Sequence, residues 1–583
     1  MSDDTTDPIL LEVLRHAFES IADEMALIVL RTSHSSIVRD SMDFSTALCD
    51  AEGRTLAQGL TNPGHLGSFF DAMRCLIDRF TGAIRPGDIF IGNDPYAAAG
   101  MHLPDVYIIK PIFHAHRLTG WATTLAHQVD VGGIIPGSNA LGSREIHQEG
   151  LRLPFVKLFD GGARQEAVWD IIGLNVRLPD QLFGDLEAQI AGCNAGERGL
   201  LELAKQYDVE TIERYGVALL DYCERLTRAE FRAIPGGTFR FVDHIDGLGE
   251  DPTPIEIRVA LTIDGERAIV DWTGTADQVE GGINASLPFT KAAVYATLRS
   301  IMTVDLPSCQ GFERCVEVIA QPGSLVNPLP PAACGARAIT GYRCIDCLFG
   351  ALADVVPDRV TADSTGGSTL PTLAGWHEGQ FFIYSETMMG VWGAAAEHDG
   401  QDGVPHMGAN QSNTPVEFIE ADYPLRVDFY GLVPDTGGPG RHRGGNSIAR
   451  EFRVLANKAL LSVRSDKRTF PPHGLLGGAP GSPSWNIVRR DGQNQVLPVM
   501  LTTPKELKEG DVFRHVMAGG GGYGDPLSRP PEAVLSDVIE ERVSIEHARE
   551  AYSVVIAPGD PPKIDIRATA RLRKDHTKDQ RRS

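Results

Sequence analysis

The sequence predicts an α+β fold with a large mixed, mainly antiparallel sheet core, flanking helices and several layers. Helical and strand-forming segments are interspersed along the chain without the regular alternation of a βαβ protein. With 583 residues, the chain is long enough for several hydrophobic cores. We divide it into an N-terminal region with a helical segment (1–235), a β-rich and glycine-rich region packed on it (236–527), and a helical tail with a mobile basic C-terminus (528–583).

The first region begins with a helix and a hairpin. Asp7, followed by proline, is typical of a helix start, and apolar residues then recur at close to helical spacing over 9–28. The segments FSTALCD and TLAQ, with a turn at 51–54 between them, predict a hairpin. Strand and turn patterns alternate over 86–130, and a helical pattern covers 170–232.

The rest of the chain is richer in strands. Strand patterns return at 236–275, a helical segment follows at 288–303, and 375–470 combines strand patterns with many glycines. A helical tail is predicted at 530–552. The last twenty residues are basic and lack apolar periodicity, so we expect them to be mobile.

The composition excludes several classes of partner. The formal net charge is -23, and an acidic surface repels phosphate backbones, so no nucleic acid partner is expected. No run of about 18 apolar residues predicts a membrane span, and the acidic N-terminus does not resemble a secretory signal. Nine scattered cysteines do not indicate a disulfide framework. These features predict a cytoplasmic protein without a membrane partner.

Two kinds of motif in this sequence are interpreted as structural. Cys344 and Cys347 form a CxxC without a second one at zinc-finger distance, which predicts two buried cysteines on a helix. The glycine-rich runs at 519–524 and 437–445 lack the lysine of a phosphate-binding loop, so they predict tight backbone packing and no nucleotide site. A GxSxG nucleophile elbow is also absent.

Two histidine–aspartate pairs stand out in the first region, in the segments GMHLPD and AHQVDVGG. Residues 106–113 and 119–126 have the pattern of two strands of equal length, and the polar HAHRL between them has the size of a hairpin connection. Residue numbers across such a pair sum to about 231, which places Asp105 beside Ala126 and His127. Four side chains are therefore predicted to converge at the open end of the hairpin: His102, Asp105, His127 and Asp130.

Imidazole and carboxylate groups together suit a catalytic Zn²⁺, Mn²⁺ or Fe²⁺ ion. Such an ion, held by three or four protein ligands, lowers the pKa of a bound water toward 7. Asp43 is the N-terminal candidate for a further ligand, with Asp40 and Asp50 as alternatives. The competing interpretation is that His102 caps a turn and that the aspartates are solvated loop residues.

The remaining histidines near this segment fall into two groups. His114 and His116 lie in the predicted hairpin turn and are expected to be exposed to solvent. His34, His65 and His147 lie in polar segments, where they are either structural or contact the site or its substrate.

Ten segments, in order from end to end, resemble the hydantoinase B/oxoprolinase family. This family contains the B subunits of ATP-dependent hydantoinases and related lactamases and the corresponding half of 5-oxoprolinase, with subunits of acetone and acetophenone carboxylases as relatives. The resemblance covers roughly residues 5–555. The matching segments are MDFSTALCD, PGDIFIGNDPYAAAGMHLPDVYIIKPIF, AHQVDVGGIIPGS, REIHQEGLRLPFVKL, GGINASLPFTKAAVYATLRSIM, GSLVNPLPPAACGAR, SNTPVEFIEADYPLRV, PDTGGPGRHRGG, FPPHGLLGG and GGGGYGDPLSRPPEAVLSDV.

The resemblance implies a set of site residues. The implied ligands of a divalent metal, Zn²⁺ first and otherwise Mn²⁺ or Fe²⁺, are Asp43, His102, Asp105 and His127. Two further residues are the candidate catalytic groups: Asp130, which would orient a histidine or the water on the metal, and Glu149 in the segment REIHQEG. The chain departs from many relatives at Gln128, where they have histidine, in the loop before His102 and at 363–371, which alters the substrate pocket and leaves these ligands intact.

The resemblance also implies a function and a partner. It implies a B-type subunit of an ATP-dependent cyclic amide hydrolase, in which a metal-activated water attacks a carbonyl of a small-molecule substrate. That carbonyl would be activated by phosphorylation on a partner, the hydantoinase A-type ATPase, which has an actin-like fold and binds the ATP. A hetero-oligomer such as (AB)2 is expected. The alternatives are a subunit of an ATP-dependent ketone carboxylase of the acetone or acetophenone type, and a non-catalytic scaffold for the A-type ATPase.

Overall fold

The structure, a computed structural model, describes residues 6–59, 62–366, 369–409 and 411–580, with side chains described up to residue 575. Its α-helices are α1 (Pro8–Thr32), α2 (Ser36–Arg39), α3 (Ser68–Arg79), α4 (Glu166–Asn175), α5 (Pro179–Tyr207), α6 (Val209–Ala233), α7 (Leu287–Ser300), α8 (Ala338–Leu352), α9 (Val416–Asp422), α10 (Pro531–Ile539), α11 (Ile545–Tyr552) and α12 (Ile566–Gln580). In the described part of the chain, no helix is both long enough and apolar enough to cross a membrane.

The strands lie between and after these helices. They are β1 (Phe44–Asp50), β2 (Thr55–Gln58), β3 (Ile89–Gly92), β4 (Asp105–His114), β5 (Arg117–His127), β6 (Val156–Asp160), β7 (Ala163–Arg164), β8 (Gly237–Ile245), β9 (Ile255–Asp264), β10 (Arg267–Asp271), β11 (Val316–Ile319), β12 (Leu370–His377), β13 (Gln380–Ser385), β14 (Leu425–Leu432), β15 (Ile448–Val454), β16 (Lys458–Arg464), β17 (Trp485–Arg490), β18 (Gln493–Leu497), β19 (Lys505–Lys508), β20 (Val512–Val516), β21 (Ile556–Ala557) and β22 (Lys563–Ile564).

These strands form several sheets that are mostly antiparallel. The largest has the order β2-β1-β5-β4-β3-β6-β7, and the others have the orders β11-β10-β9-β8, β13-β12-β16-β19, β14-β15-β20-β17-β18 and β21-β22. The pair β10–β11 is parallel, whereas β1–β5 and β4–β5 are antiparallel. The predicted α+β class, with a mainly antiparallel sheet core and flanking helices in several layers, is confirmed.

Helix α1 begins where the sequence predicts. The carboxylate of Asp7 accepts a hydrogen bond from the backbone N–H of Ile9, which caps the helix. Helix α1 packs against α5, and glycines on α5 allow the close approach: a Cβ added at Gly196 would lie 2.6 Å from Met25 Sδ. Helix α5 in turn packs on β4 and β5, so the central hairpin is covered on that side.

The helical segment predicted at 170–232 is divided into three helices. The break between α5 and α6 lies at Asp208, whose φ of 59° is in the left-handed region. Its carboxylate accepts a hydrogen bond from Thr211 N and so caps α6. A single residue therefore ends one helix and begins the next, which helical periodicity alone does not reveal.

The central hairpin agrees with the prediction. Strands β4 and β5 extend the predicted segments by one or two residues at their ends. His114, the last residue of β4, and His116, in the turn, are exposed. Asp105 pairs directly with His127. The register shifts by one residue near the turn, between Ile112 and Phe113.

Several hydrophobic cores support the layers in the described part of the chain. The largest joins the seven-stranded sheet with α1, α5, α6, α7 and α8, and a second fills the space between the sheets formed by β12–β20. A smaller core includes residues of α10 and α11. The proposed boundaries after residues 235 and 527 stay predictions.

The C-terminal segment, predicted to be mobile, contains helix α12, and its mobility stays a prediction. The backbone of Ala568 donates to Asp565 Oδ1 at 2.9 Å at the start of α12, and the buried hydroxyl of Thr569 accepts from Val555 N at 3.0 Å. Arg573 donates to the carbonyl of Arg529 at 2.7 Å. Polar contacts attach this helix, which explains why a search for apolar periodicity does not detect it.

Both structural interpretations of the conspicuous motifs are confirmed. Cys344 and Cys347 are fully buried on α8. In the glycine-rich runs, backbone lies against backbone: Gly438 N donates to Gly520 O at 2.7 Å, and a Cβ added at Gly444 would lie far inside van der Waals contact with Gly520.

This packing predicts that Gly444→Ala lowers the free energy of unfolding by about 3 kcal/mol or more, because the clash is with backbone that cannot move aside. Urea unfolding followed by circular dichroism measures the change. Gly236→Ala is the matched control, since the nearest atom to its added Cβ is 3.5 Å away, and it should change stability by less than about 1 kcal/mol. Equal stability of the two variants would contradict the packing argument.

Candidate metal centre

Three neighbouring strands bring three of the predicted residues into one row. In the β4–β5 pair, Asp105 lies directly opposite His127. On the other side of β5, the His127 N–H donates to the carbonyl of Asp43, just before β1, at 3.0 Å. His102 enters from the loop before β4, where its carbonyl accepts from Asp105 N at 3.1 Å. Side chains of directly opposite residues on neighbouring strands point to the same face of the sheet, so the side chains of this row lie close together.

Three of these side chains form a compact buried cluster. His102 Nε2 lies 3.0 Å from Asp105 Oδ1 and 3.1 Å from His127 Nδ1. His127 Nδ1 is also 3.1 Å from Asp105 Oδ1, which closes a nearly equilateral triangle of ligand atoms. Among the described residues, this is the cluster of His, Cys, Asp and Glu side chains that could hold a metal ion.

The hydrogen bonds of His102 test whether this cluster fits a cation. Its Nδ1 lies 2.8 Å from the carbonyl oxygen of Gly335, which only accepts, so Nδ1 carries the proton and Nε2 presents a lone pair. That lone pair faces the carboxylate of Asp105, which also only accepts. A cation satisfies both, and atoms about 3 Å apart can share a metal through bonds of about 2.0–2.2 Å. The donor set therefore fits a divalent transition metal.

Arg337 sets the charge states of the cluster. Its guanidinium donates to Asp105 Oδ2, leaving Oδ1 for the histidines. Burial raises the pKa of Asp105, but the charge of Arg337, followed by the two neighbouring imidazoles, outweighs burial and brings this pKa well below its usual range. Burial, followed by the charge of Arg337, lowers the pKa of His102 to about 3. An ionised carboxylate and a neutral imidazole are the forms that bind metals.

Asp43 lies beside the triangle rather than in it. Its Oδ2 is 3.9 Å from His127 Nδ1, and its Oδ1 accepts from Asn62 Nδ2 at 3.1 Å. The two alternatives to Asp43 are engaged elsewhere: Asp40 pairs with its neighbour Arg39, and Asp50, at the far end of β1, pairs with Arg54. Asp43 is thus the acidic residue of this segment that the fold places next to the cluster.

Asp130, predicted to converge with the others, is not part of the cluster. One oxygen accepts from the N–H groups of Gly132 and Arg177, and the other from Gly137 N and the Arg177 guanidinium, all at 2.9–3.0 Å. The strand ends at His127, and Gly132 with a φ of 91° turns the chain, so the register argument does not extend to residue 130. Its catalytic role stays a prediction.

Glu149 reaches the cluster through one peptide group. Its carboxylate is fully buried and accepts from the N–H groups of Cys334 at 3.0 Å and Gly335 at 2.6 Å. Gly335 is the residue whose carbonyl orients His102. Burial raises the pKa of Glu149 to about 8, and the two N–H groups act against this rise. The geometry is that of a positioning residue, because Glu149 holds the loop that holds His102.

A cavity adjoins the cluster, with His127 and Arg337 on its wall. Its walls come from both the N-terminal and the C-terminal parts of the chain. The lining residues are Asp43, Asn62, His65, His127, Phe289, Arg337, Ala338, Tyr342, Thr387, Gln411 and Arg464.

One of the three additional histidines lies at this cavity. His65 lines it and has Nδ1 2.9 Å from Ser45 Oγ. His34 and His147 are exposed, and His147 lies 3.3 Å from Arg152. Burial lowers the pKa of His65, so this histidine is neutral at the cavity wall.

The sequence reasoning missed the residues that come from the C-terminal half. Arg337 ends the segment PAACGAR, which contributed only to the family resemblance, and Arg464 lies at the end of β16. Gln411 is buried, and its side-chain oxygen has no hydrogen-bond partner among the described residues. Contacts across hundreds of residues carry no local signal, so only the folded chain reveals them.

Comparisons with known proteins identify the family of the chain. Residues 7–526 match the family model described as hydantoinase B/oxoprolinase. A protein of Pseudomonas sp. strain NS671, provisionally named as the B-type subunit of a D-/L-hydantoinase, is 34% identical over 585 residues, which cover 97% of this chain and 98% of that protein. The crystal structure of ATP-dependent caprolactamase from Pseudomonas jessenii is similar with a TM-score of 0.90 and 31% identity, covering 98% of this chain and 100% of that chain.

A nucleotide-free structure of acetone carboxylase has the same fold. Its TM-score is 0.93 with 20% identity, and the match covers 98% of this chain and 83% of that one. At this level of identity the similarity concerns the fold alone.

The cluster predicts that the purified chain binds about one equivalent of a divalent transition metal, and that Asp105→Asn and His127→Ala each lose it without unfolding. Elemental analysis beside circular dichroism measures both properties. His116→Ala, in the exposed turn of the same hairpin, is the matched control and should keep the metal. A wild-type chain that stays free of metal after incubation with Zn²⁺, Mn²⁺ or Fe²⁺ would refute the assignment.

The position of Glu149 predicts that Glu149→Gln weakens metal affinity about 10- to 100-fold in a folded protein, because one N–H of the loop loses its acceptor and His102 loses its orientation. Competition with a chelator measures the affinity. Glu166→Gln, at an exposed position, is the control. An unchanged affinity in Glu149→Gln would show that the loop holds His102 without this carboxylate.

Proposed function

Because the chain belongs to the hydantoinase B/oxoprolinase family, we propose that it is the B-type subunit of an ATP-dependent cyclic amide hydrolase. The substrate would be a small hydantoin, lactam or oxoproline-like ring. The observation that carries the proposal is the buried cluster of His102, Asp105 and His127, which opens on a cavity lined by polar side chains. Such a cluster beside a cavity is what metal-assisted hydrolysis requires.

The metal in this proposal is Zn²⁺, with Mn²⁺ or Fe²⁺ as alternatives. A divalent ion bound here supplies Lewis acidity for a carbonyl oxygen and lowers the pKa of water toward 7. The chain's own residues prepare the site for it. Gly335 fixes the tautomer of His102, and Arg337 keeps Asp105 ionised. Asp43, 3.9 Å from His127, is the carboxylate placed to accept a proton or to add a ligand.

The proposal assigns the ATP chemistry to a partner. Relatives are named as subunits, and the similar caprolactamase is described as ATP-dependent. We infer that a hydantoinase A-type ATPase binds ATP and phosphorylates the ring carbonyl, and that this chain completes the ring opening. The expected assembly is a hetero-oligomer such as (AB)2. Glu149 then acts on the loop that holds His102, and the catalytic role of Asp130 stays a prediction.

The fold shared with acetone carboxylase leaves a carboxylase subunit as the second candidate, and a scaffold without chemistry as the third. Bicarbonate separates the first two, because a carboxylase must incorporate it and a hydrolase does not need it. Substitution of a cluster residue distinguishes the scaffold from both enzymes, because a complex with a non-catalytic scaffold keeps its activity without the metal ligands.

We predict that the complex with the A-type partner opens a cyclic amide in the presence of ATP and without bicarbonate, and that Asp105→Asn lowers this rate at least about 100-fold. The assay follows ring opening and ADP release over a panel of hydantoins, lactams and 5-oxoproline. The His116→Ala complex should retain full activity.

Three results would contradict the proposal. Incorporation of labelled bicarbonate would indicate a carboxylase. Full activity of the Asp105→Asn complex would indicate a scaffold. ATP turnover without ring opening on the whole panel would exclude the cyclic amide class.

A further inference from the structure

Two buried arginines line the cavity beside the cluster. Arg337 is 5% exposed and lies over the ring of Phe289, with its guanidinium carbon 4.4 Å from the ring centre. Arg464 is 4% exposed, and its Nη1 donates to Asn139 Oδ1 at 2.8 Å. The Nε of Arg337 is buried without a hydrogen-bond partner among the described residues. A buried guanidinium N–H without an acceptor costs free energy, so a ligand that accepts this hydrogen bond would be stabilised at the cavity wall.

The charges around the cavity balance only when no metal is bound. The carboxylates of the cluster and the cavity wall are Asp43 and Asp105, and the guanidinium groups are Arg337 and Arg464. The histidines that bind metals do so as neutral groups. Glu149 faces the backbone of the loop and not the cavity. A divalent metal therefore adds two positive charges that none of these side chains offsets.

A buried excess of positive charge is costly unless a ligand offsets it. The ligand that offsets two positive charges is a dianion. Guanidinium groups bind planar or tetrahedral oxyanions with charge-assisted hydrogen bonds, and phosphate is one of their preferred partners. In the proposed function, the activated substrate carries a phosphoryl group, which has this charge and this shape.

We propose that the cavity beside the cluster is an anion site for the phosphoryl group of the activated substrate, with Arg337 and Arg464 as its charged donors. This inference rests on the proposed function for the identity of the ligand, and on the cavity and its charges for the chemistry. It distinguishes the activated substrate from the neutral ring amide, which offers no charge to the arginines. The tyrosine and amide groups of Tyr342 and Gln411 complete the wall with neutral polar contacts.

The test measures how tightly an anion binds to the full chain. The chain is first loaded with metal and freed of excess metal, and the partner, ATP and cyclic amide are left out. Isothermal titration calorimetry uses two probes, inorganic phosphate and phenylphosphonate, which represents a phosphoryl group attached to a substrate and resists hydrolysis. Phenylphosphonate should bind to the metal-loaded chain and at least about tenfold more weakly to the metal-free chain. Arg464→Gln should lower its affinity about 10- to 100-fold at unchanged metal content.

Two further variants sharpen the result. Arg337→Lys keeps a positive charge beside Asp105 and removes the planar donor group. It should therefore lower the affinity for phenylphosphonate while the metal stays bound. Arg426→Gln, whose side chain is 56% exposed on β14, is the control and should bind as the wild type does.

Several outcomes would overturn the site. They are no binding of phenylphosphonate to the metal-loaded wild type, equal binding to the metal-free chain, and wild-type affinity in Arg464→Gln. The proposal would also be overturned if inorganic phosphate bound and phenylphosphonate did not, since this result indicates a site for the released product. Because no ring opening is measured, these outcomes are separate from a failure of the proposed function, which the assay of the complex detects.

Discussion

The site depends first on the register of one hairpin. A simple two-residue turn gives pairs whose numbers sum to about 231, and Asp105 would then face Ala126. The one-residue shift between Ile112 and Phe113 changes the register for the rest of the hairpin, so Asp105 faces His127 instead. Side chains alternate between the two faces of a strand, so a slip by one residue would turn His127 to the opposite face from Asp105. A bulge far from the cluster thus decides whether a cluster exists.

A second constraint comes from a single loop before α8. In it, Gly335 orients His102 through its carbonyl, and Arg337 binds Asp105 through its guanidinium, so two members of the cluster depend on residues two positions apart. The loop is fixed in turn by the buried carboxylate of Glu149. Because backbone N–H groups and a carboxylate form this link, the ligands are held by hydrogen bonds with defined directions, whereas apolar packing alone would tolerate small rotations.

The sequence predicts those parts of the fold and the site that depend on residues close together in the chain. The hairpin, two histidines and one aspartate come from strand periodicity and a short connection, and the tight backbone packing of both glycine-rich runs agrees with their prediction. Asp130 shows the limit of that reasoning, since alternation ends where the strand ends. Arg337 and Arg464 lie more than two hundred residues from Asp105, and no periodicity links positions so far apart. The residues alone leave Asp43 as one of three acidic candidates, and the pairing of β1 with β5 explains its place beside the cluster.

The charge balance links the two proposals into one mechanism of selection. Under that balance, a neutral ring amide leaves the metal-loaded cavity with uncompensated positive charge, and a phosphorylated ring removes it. Metal and anion therefore favour each other's binding, and by linkage the effect is equal in both directions. Such a site rejects a substrate that the partner has not activated without any further residue. The two arginines that bind the phosphoryl group also make the cavity unfavourable when it holds the metal but no anion. The discrimination then lies in electrostatics and not in the shape of the ring, which is consistent with one fold serving relatives that act on different rings.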